Sequence, residues 1–229
     1  MRVAITGASG FIGSHLTAHL RLQGYDVLEL GRDHTGTVLV PHGNSDLSSN
    51  PGDPYAYLGD VAGIVHLAAR QLDSPATPFS EYLQSNVVMT ESLLRAALDH
   101  GVTRFVAASS RLVYPSSTNE PITEDCPHAP GGFYGLSKSV GEDLVRIYSA
   151  KGTLSGVALR IGQVFGDGDK SRGVLPRFID GARRGQAPTV AGTGSAVRDF
   201  VYVKDVASSR TPFSEKRSGS ALTTGELIR

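Results

Sequence analysis

The segment Tyr134-Gly-Leu-Ser-Lys138 places a phenol and an ammonium four residues apart, so on a helix they share one face. A cation beside a phenol favours the phenolate and lowers its pKa from an ordinary value of about 10. Such a tyrosine can pass a proton to or from an alcohol near neutral pH. Ser110 closes the run Arg104-Phe-Val-Ala-Ala-Ser-Ser110 and could donate a hydrogen bond to the same oxygen. Ser110, Tyr134 and Lys138 are therefore the candidate catalytic residues, suited to proton transfer at an alcohol or carbonyl carbon. The spacing Tyr-x-x-x-Lys carries little weight alone, and its meaning rests on the elements that hold it.

The first of those elements is MRVAITGASGFIG, Met1 to Gly13. Val3 to Thr6 form a short apolar, β-branched run that reads as a buried strand. Beyond the glycines, Ile12, Leu16 and Leu20 recur at helical spacing until Gly24. A strand, a glycine turn and a helix in that order fit a dinucleotide: Gly7 permits the tight turn, Gly10 admits a pyrophosphate, and Gly13 lets the helix press on the sheet. The helix N-terminus adds free N–H donors for the phosphates, and Phe11 and Ile12 join the glycines as candidate cofactor contacts. With a nicotinamide bound there to take or return hydride, the tyrosine's proton transfer becomes redox chemistry at a hydroxyl.

Further candidates follow at the ends of later strands. Tyr25–Leu30 reads as the second strand, and just past it Gly31-Arg32-Asp33 should reach the adenosine ribose. Glycine leaves room there, and the arginine fork suits a 2′-phosphate, which tilts the choice toward NADP. Glu29 and Asp33 keep NAD open, and a solvated surface role for Arg32 is the plain alternative. Thr37–Val40 reads as a third strand, followed by Asp46-Leu47 at a position that could border the adenine. Gly63-Ile-Val-His-Leu-Ala-Ala69 reads as a fourth strand, its small exit at Leu67, Ala68 and Ala69 leaving room for the cofactor. His66, inside that apolar run, reads as a packed structural histidine. Glu81–His100 is an amphipathic helix pattern, Arg104–Ala108 and Gly156–Ile161 are buried strands, and a helix runs from Tyr134 to Gly152. The proline-rich stretch from Pro115 to Pro130 should be a loop crossing the mouth of the site. Strands alternating with helices at crossover spacing predict an α/β fold with a parallel sheet covered on both faces.

Composition narrows the classes. At 229 residues the chain can form one sizeable domain, or one with a small attached lobe. Lys plus Arg equals Asp plus Glu at 22 each, which gives no reason to expect nucleic acid or an anionic membrane as partner. The single Cys126 cannot form an internal disulfide, and no apolar stretch is long enough to span a bilayer. No signal peptide precedes the first strand, so the expected compartment is the cytoplasm. No metal is expected.

Together these motifs resemble the extended short-chain dehydrogenase/reductase family, in its NAD-dependent epimerase/dehydratase branch. The resemblance covers residue 1 to about residue 207. It comprises Gly7, Gly10 and Gly13, His66 to Ala69, Ser109-Ser110-Arg111-Leu112-Val113-Tyr114, Tyr134 with Lys138, Arg160 to Gly166, and Arg198 to Val206. It implies a Rossmann-type doubly wound sheet, with the catalytic hydroxyl at Ser110 and a cofactor-side asparagine at Asn86. Substrate contacts are implied at Ser110, Arg111, Gln163 and Arg198, the last clasping the diphosphate of a nucleotide sugar. In relatives the helices corresponding to Glu81–His100 and Tyr134–Ala150 pair across a two-fold, which implies a homodimer.

Two departures shape the functional expectation. Sugar dehydratases of the family place Asp-Glu after the catalytic hydroxyl residue, where this chain has Arg111-Leu112, so simple dehydration is poorly supported. Residues 208–229 are short and polar where relatives continue, which implies a small, incomplete C-terminal substrate-binding lobe. The expected division is 1–165 for the dinucleotide-binding domain with the catalytic pair, and 166–229 for a partial lobe interleaved with it. The expected activity is NAD(P)-dependent epimerisation of a nucleotide sugar by transient hydride abstraction and return. An NADPH-dependent ketoreductase of a sugar or polyketide-like carbonyl, and a catalytically impaired dinucleotide-binding protein, are the alternatives.

Overall fold

The computed structural model describes residues 1–32, 39–41, 53–71, 74, 76–116, 121–171, 173–190, 192–195, 197–209 and 222–223. The apolar N-terminal run forms β1 (Arg2–Thr6), and the residues after the glycines form α1 (Phe11–Leu22). Gly7 sits at φ +70°, and a Cβ on Gly13 would lie 2.1 Å from the Gly7 carbonyl oxygen. Both positions therefore exclude a side chain, and α1 descends directly onto the strand it follows.

β2 (Asp26–Arg32) pairs with β1 in parallel, but β3 (Leu39–Pro41) returns against β2 in antiparallel register, with Leu30 opposite Pro41. This corrects the expectation of a further parallel strand at Thr37–Val40. The short connection from Arg32 to Leu39 cannot hold a parallel crossover, which takes about a dozen residues or more. Next come β4 (Gly63–His66), α2 (Phe79–Tyr82), a π-helical stretch at Leu83–Val88 and α3 (Met89–Asp99). The amphipathic pattern of 81–100 thus forms one helical run with a wider turn inside it.

β5 (Arg104–Ser110), α4 (Phe133–Lys151) and β6 (Ser155–Ile161) complete the central βαβ units. β7 (Gln163–Phe165), α5 (Val174–Arg183), β8 (Phe200–Tyr202), α6 (Val203–Ser208) and β9 (Leu222–Thr223) follow. The main sheet runs β3-β2-β1-β4-β5-β6-β9 and is parallel except for β3. The chain leaves β1 toward β2 on one side and returns to β4 on the other. Ligands in such sheets sit at that reversal, beyond the C-terminal strand ends.

Alternation along the strands builds two cores, one on each face of the sheet. Ala4, Ile64 and Phe105 face Leu93, Leu94 and Val145 of α3 and α4, whereas Val3, Ile5, Val65 and Val106 face Leu16 and Leu20 of α1. Ala207 of α6 belongs to the second core and α6 packs along α1, so residues 203–208 rejoin the main helical layer. β7 and β8 form a separate two-stranded ladder, and α5 buries none of its residues. No described helix is long and apolar enough to cross a membrane.

Candidate active site

The exit of β4 is fastened by a buried histidine. His66 Nδ1 lies 2.7 Å from Thr6 Oγ1, and Nε2 lies 3.0 Å from Thr90 Oγ1. The Thr90 hydroxyl donates to the Asn86 carbonyl, so it accepts from His66 Nε2–H, and Nδ1 accepts from Thr6. Burial, followed by the Lys138 charge, depresses the His66 pKa to about 3, which keeps it neutral. The expected structural role for His66 is thus the one found. Thr6 Oγ1 also accepts from the Ala68 amide at 3.0 Å, so the Leu67–Ala69 exit is tied to β1.

Asn86, in the π-helical stretch, forms a two-way clip with the Arg70 backbone. Arg70 N–H donates to Oδ1 at 2.7 Å, while Nδ2 donates to the Arg70 carbonyl and to Ser137 Oγ, each at 3.0 Å. It therefore joins the β4 exit to α4. A π-turn displaces one residue from the helical face, and such turns recur at functional sites.

Ser110 ends β5, Tyr134 opens α4, and Lys138 lies one turn further along α4. A Cβ on Gly135 would sit 2.1 Å from the Leu112 carbonyl oxygen, so glycine alone allows α4 to start against the turn after Ser110. Ser110 and Tyr134 line the same cleft, and the Ser110 hydroxyl accepts the Leu112 amide at 3.2 Å. Lys138 Nζ donates to the Ala108 carbonyl at 2.7 Å and stands 5.9 Å from the centre of the Tyr134 ring. Burial raises the Tyr134 pKa, the Ser110 hydroxyl opposes the rise, and Tyr82 adds to it. This corrects the expectation of a phenol depressed by Lys138: desolvation outweighs the effect of Ser110, and the ammonium is committed to a backbone carbonyl. Burial pulls Lys138 itself down to about 8, with Glu142 opposing.

Two clefts meet at these residues. The first, about 200 Å³, runs from Gly7, Gly10, Phe11, Ile12 and Gly13 past Leu67 and Ala69 to Ser110, Tyr134 and Lys138. The second, about 380 Å³, is lined by Arg111, Gln163, Asp169, Ser171 and Phe200 among others, and shares Gln71, Ser110, Tyr134, Gly162 and Val164 with the first. The structure therefore gathers most of the candidate residues around one junction. Ala68 and Asn86 stand behind the first cleft without lining it, and exposed Arg198 lines neither. Asp46 and Leu47 lie outside the described residues, and Arg32 is placed only as the last residue of β2.

The sequence reading missed Gln71, Ala108, Ile161, Gly162 and Val164, which line the first cleft. The rule that ligands collect beyond the ends of parallel strands would have found the last four. It also missed the polar cluster behind the cleft. Arg160 of β6 donates through Nη2 to Glu142 Oε2 at 2.8 Å, through Nη1 to Tyr114 Oη at 2.7 Å and to the Glu124 carbonyl at 2.9 Å. Its Nη2 also lies 2.6 Å from His128 Nε2, which accepts, leaving Nδ1–H to donate to Ser139 Oγ. Ser109 Oγ donates to Glu142 Oε1. Glu124 and His128 belong to the proline-rich segment, so residues 121–130 are pinned to Arg160 and line neither cleft. That corrects the expectation of a loop across the mouth for residues 121–130; residues 117–120 of the same stretch lie outside the described residues.

The first cleft suits a dinucleotide on its own geometry. Its turn has no room for a side chain at Gly7 or Gly13 and carries none at Gly10, and α1 begins at Phe11 without an acidic residue in its first turn to repel phosphate. Comparisons with known proteins agree. The chain is 30% identical over 229 residues to the UDP-glucose 4-epimerase of Corynebacterium glutamicum, covering 91% of this chain and 69% of that protein. MoeE5 in complex with UDP-glucuronic acid and NAD superposes with a TM-score of 0.78 at 32% identity, over 97% of this chain and 75% of that one. UDP-N-acetylglucosamine 4-epimerase from Bacillus cereus gives a TM-score of 0.80 at 28% identity, over 97% and 74%. The NAD dependent epimerase/dehydratase family matches residues 3–217, and the chain belongs to that family.

Proposed function

We propose that this protein is an NAD(P)-dependent epimerase of a nucleotide sugar. One observation carries the reading: the dinucleotide-shaped cleft and the adjoining polar cleft share Ser110 and Tyr134, so a proton-transfer hydroxyl stands where cofactor and sugar would meet. A bound nicotinamide supplies hydride uptake and return. Gly7, Gly10, Phe11, Ile12 and Gly13 would hold its phosphates, and Lys138 its ribose. Tyr134 Oη is placed to take the proton of the sugar hydroxyl in its phenolate form as that carbon is oxidised, and to give it back as the carbon is reduced; the cofactor-free fold holds it as the phenol, so its ionisation would draw on the charge of the cationic nicotinamide. Ser110 holds the same oxygen, and Arg111 and Gln163 border the sugar. With Arg111-Leu112 after Ser110, no carboxylate is placed there to remove water, which favours epimerisation over dehydration.

The test is incubation with UDP-glucose, UDP-N-acetylglucosamine and UDP-glucuronic acid, with epimer formation followed by NMR. Epimer without net cofactor consumption supports the reading, whereas stoichiometric oxidation of added NADPH by a keto substrate would replace it with the reductase. The cofactor preference proposed from Gly31-Arg32 is for NADP, and calorimetry of both cofactors against parent and Arg32→Ala decides it. Exposed Val88 and Ile147, on the helical run 79–99 and on α4, support a homodimer through those helices, which sedimentation at micromolar concentration would detect.

A further inference from the structure

Behind the catalytic wall, three elements, α4, β5 and β6, meet at one carboxylate. Glu142 lies on α4 one turn beyond Lys138, and its side chain is buried to 7% exposure together with that of Arg160. Arg160 Nε lies 3.1 Å from both Glu142 oxygens, and Nη2 lies 2.8 Å from Oε2. Oε1 also accepts the Ser109 hydroxyl, and Ser109 is the residue before Ser110. Lys138 meanwhile holds the carbonyl of Ala108, one residue earlier on the same strand. The last three residues of β5 are thus gripped from α4 at two adjacent points.

We propose that Glu142 is a positioning residue: held by Arg160 and Ser109, its carboxylate supplies the counter-charge for Lys138 and fixes the Ser110 end of β5 against α4. The groups around Lys138 leave this task to Glu142. Tyr134 on the same helix is a neutral phenol, Ser109 and Ser110 on β5 are uncharged, and His66 on β4 is neutral and itself disfavoured as a cation by Lys138. Arg160 on β6 is a second cation, and His128 Nε2 lies 2.6 Å from its Nη2 and 3.4 Å from Glu142 Oε2. Burial favours the uncharged lysine, and Glu142 is the group that opposes it. Without that charge, Lys138 would deprotonate at lower pH and lose its field beside the phenol.

A test needs neither substrate nor cofactor, so its failure is separate from a failure of the epimerase reading on which the catalytic names rest. The protein is labelled with 13Cε-lysine, which reports Lys138, Lys151, Lys170, Lys204 and Lys216, and Lys138→Arg assigns the resonance of interest. In Glu142→Gln the Lys138 titration midpoint should move down by about one pH unit or more, a tenfold change in its protonation equilibrium. Because a lone Arg160 cation could prevent that variant from folding, Glu142→Gln/Arg160→Gln carries the same measurement in a charge-balanced background. The double variant should regain thermal stability while the Lys138 midpoint stays below the parental value. An unchanged midpoint in the single variant, or a parental midpoint in the double, overturns the proposal and leaves Glu142 as fold support for Arg160.

Discussion

Lys138 donates to the main-chain carbonyl of Ala108 at 2.7 Å, so its ammonium is anchored to the strand that ends in Ser110 and not to the phenol of Tyr134. The two titrating groups consequently respond to burial in opposite directions. Burial lowers Lys138 to about 8 and raises Tyr134 above its ordinary value. In the cofactor-free protein, raising the pH therefore discharges the lysine before the tyrosine ionises. Ultraviolet difference spectra should place the tyrosinate signal of Tyr134, assigned by comparison with Tyr134→Phe, at higher pH than the ordinary phenol value of about 10.

The same depression has a stability consequence. Between pH 8 and the ordinary lysine value of 10.5, the unfolded chain binds the proton that folded Lys138 has lost, so stability rises with pH across that window. Lys138→Met removes the difference. Denaturant melts of parent and variant from pH 7.5 to 10.5 should show a smaller rise in the variant.

Tyr134→Phe keeps the ring that packs against Tyr82, at 6.3 Å between centroids, and deletes only the proton-carrying oxygen. Cofactor affinity and melting temperature should stay near parental values while kcat falls by roughly 10²- to 10⁴-fold. Ser110→Ala should cost less, since it withdraws one hydrogen bond and leaves the proton carrier in place. Parental turnover in Tyr134→Phe would remove this tyrosine from the chemistry.

His66 stays neutral in the fold because burial lowers its pKa to about 3. Its stabilising contribution is present above about pH 6.5 and is lost as pH falls through that value toward 3, where the unfolded chain binds a proton the folded one refuses. His66→Ala leaves the hydroxyls of Thr6 and Thr90 without their buried partner and should cost about 2–4 kcal/mol at pH 7. Urea melts at pH 7 and pH 4.5 test both parts: the difference between parent and variant should narrow at the lower pH.

Two glycines of α4 offer a contrast within one helix. A Cβ on Gly135 would meet the Leu112 carbonyl at 2.1 Å, whereas one on Gly141 would meet nothing within 4 Å. Gly141→Ala should therefore stabilise by roughly 0.5–1 kcal/mol through helix propensity alone. Gly135→Ala should destabilise, by about 1–3 kcal/mol as overpacking commonly does, and should lower kcat by shifting Tyr134 away from Ser110. Thermal melts and turnover of the two variants distinguish them.

The sequence by itself determined the alternation of strands and helices, the glycine turn at Gly7–Gly13 and the pair Tyr134/Lys138, because each depends on local spacing: period two in strands, period 3.6 in helices, and positions where a side chain cannot fit. The burial of His66 was equally legible, from one polar residue inside an apolar run. Pairing sense at β3 depended on connection length, which the pattern of Thr37–Val40 did not reveal. Only the tertiary structure decided the rest. It joined Arg160, Glu142, Ser109, Tyr114 and His128 from distant segments into one buried cluster, and drew residues 121–130 toward Arg160 and away from the clefts. It also reversed the expected shift at Tyr134, since the cost of desolvating a phenolate is set by the packing around it, which the four-residue spacing to Lys138 does not encode.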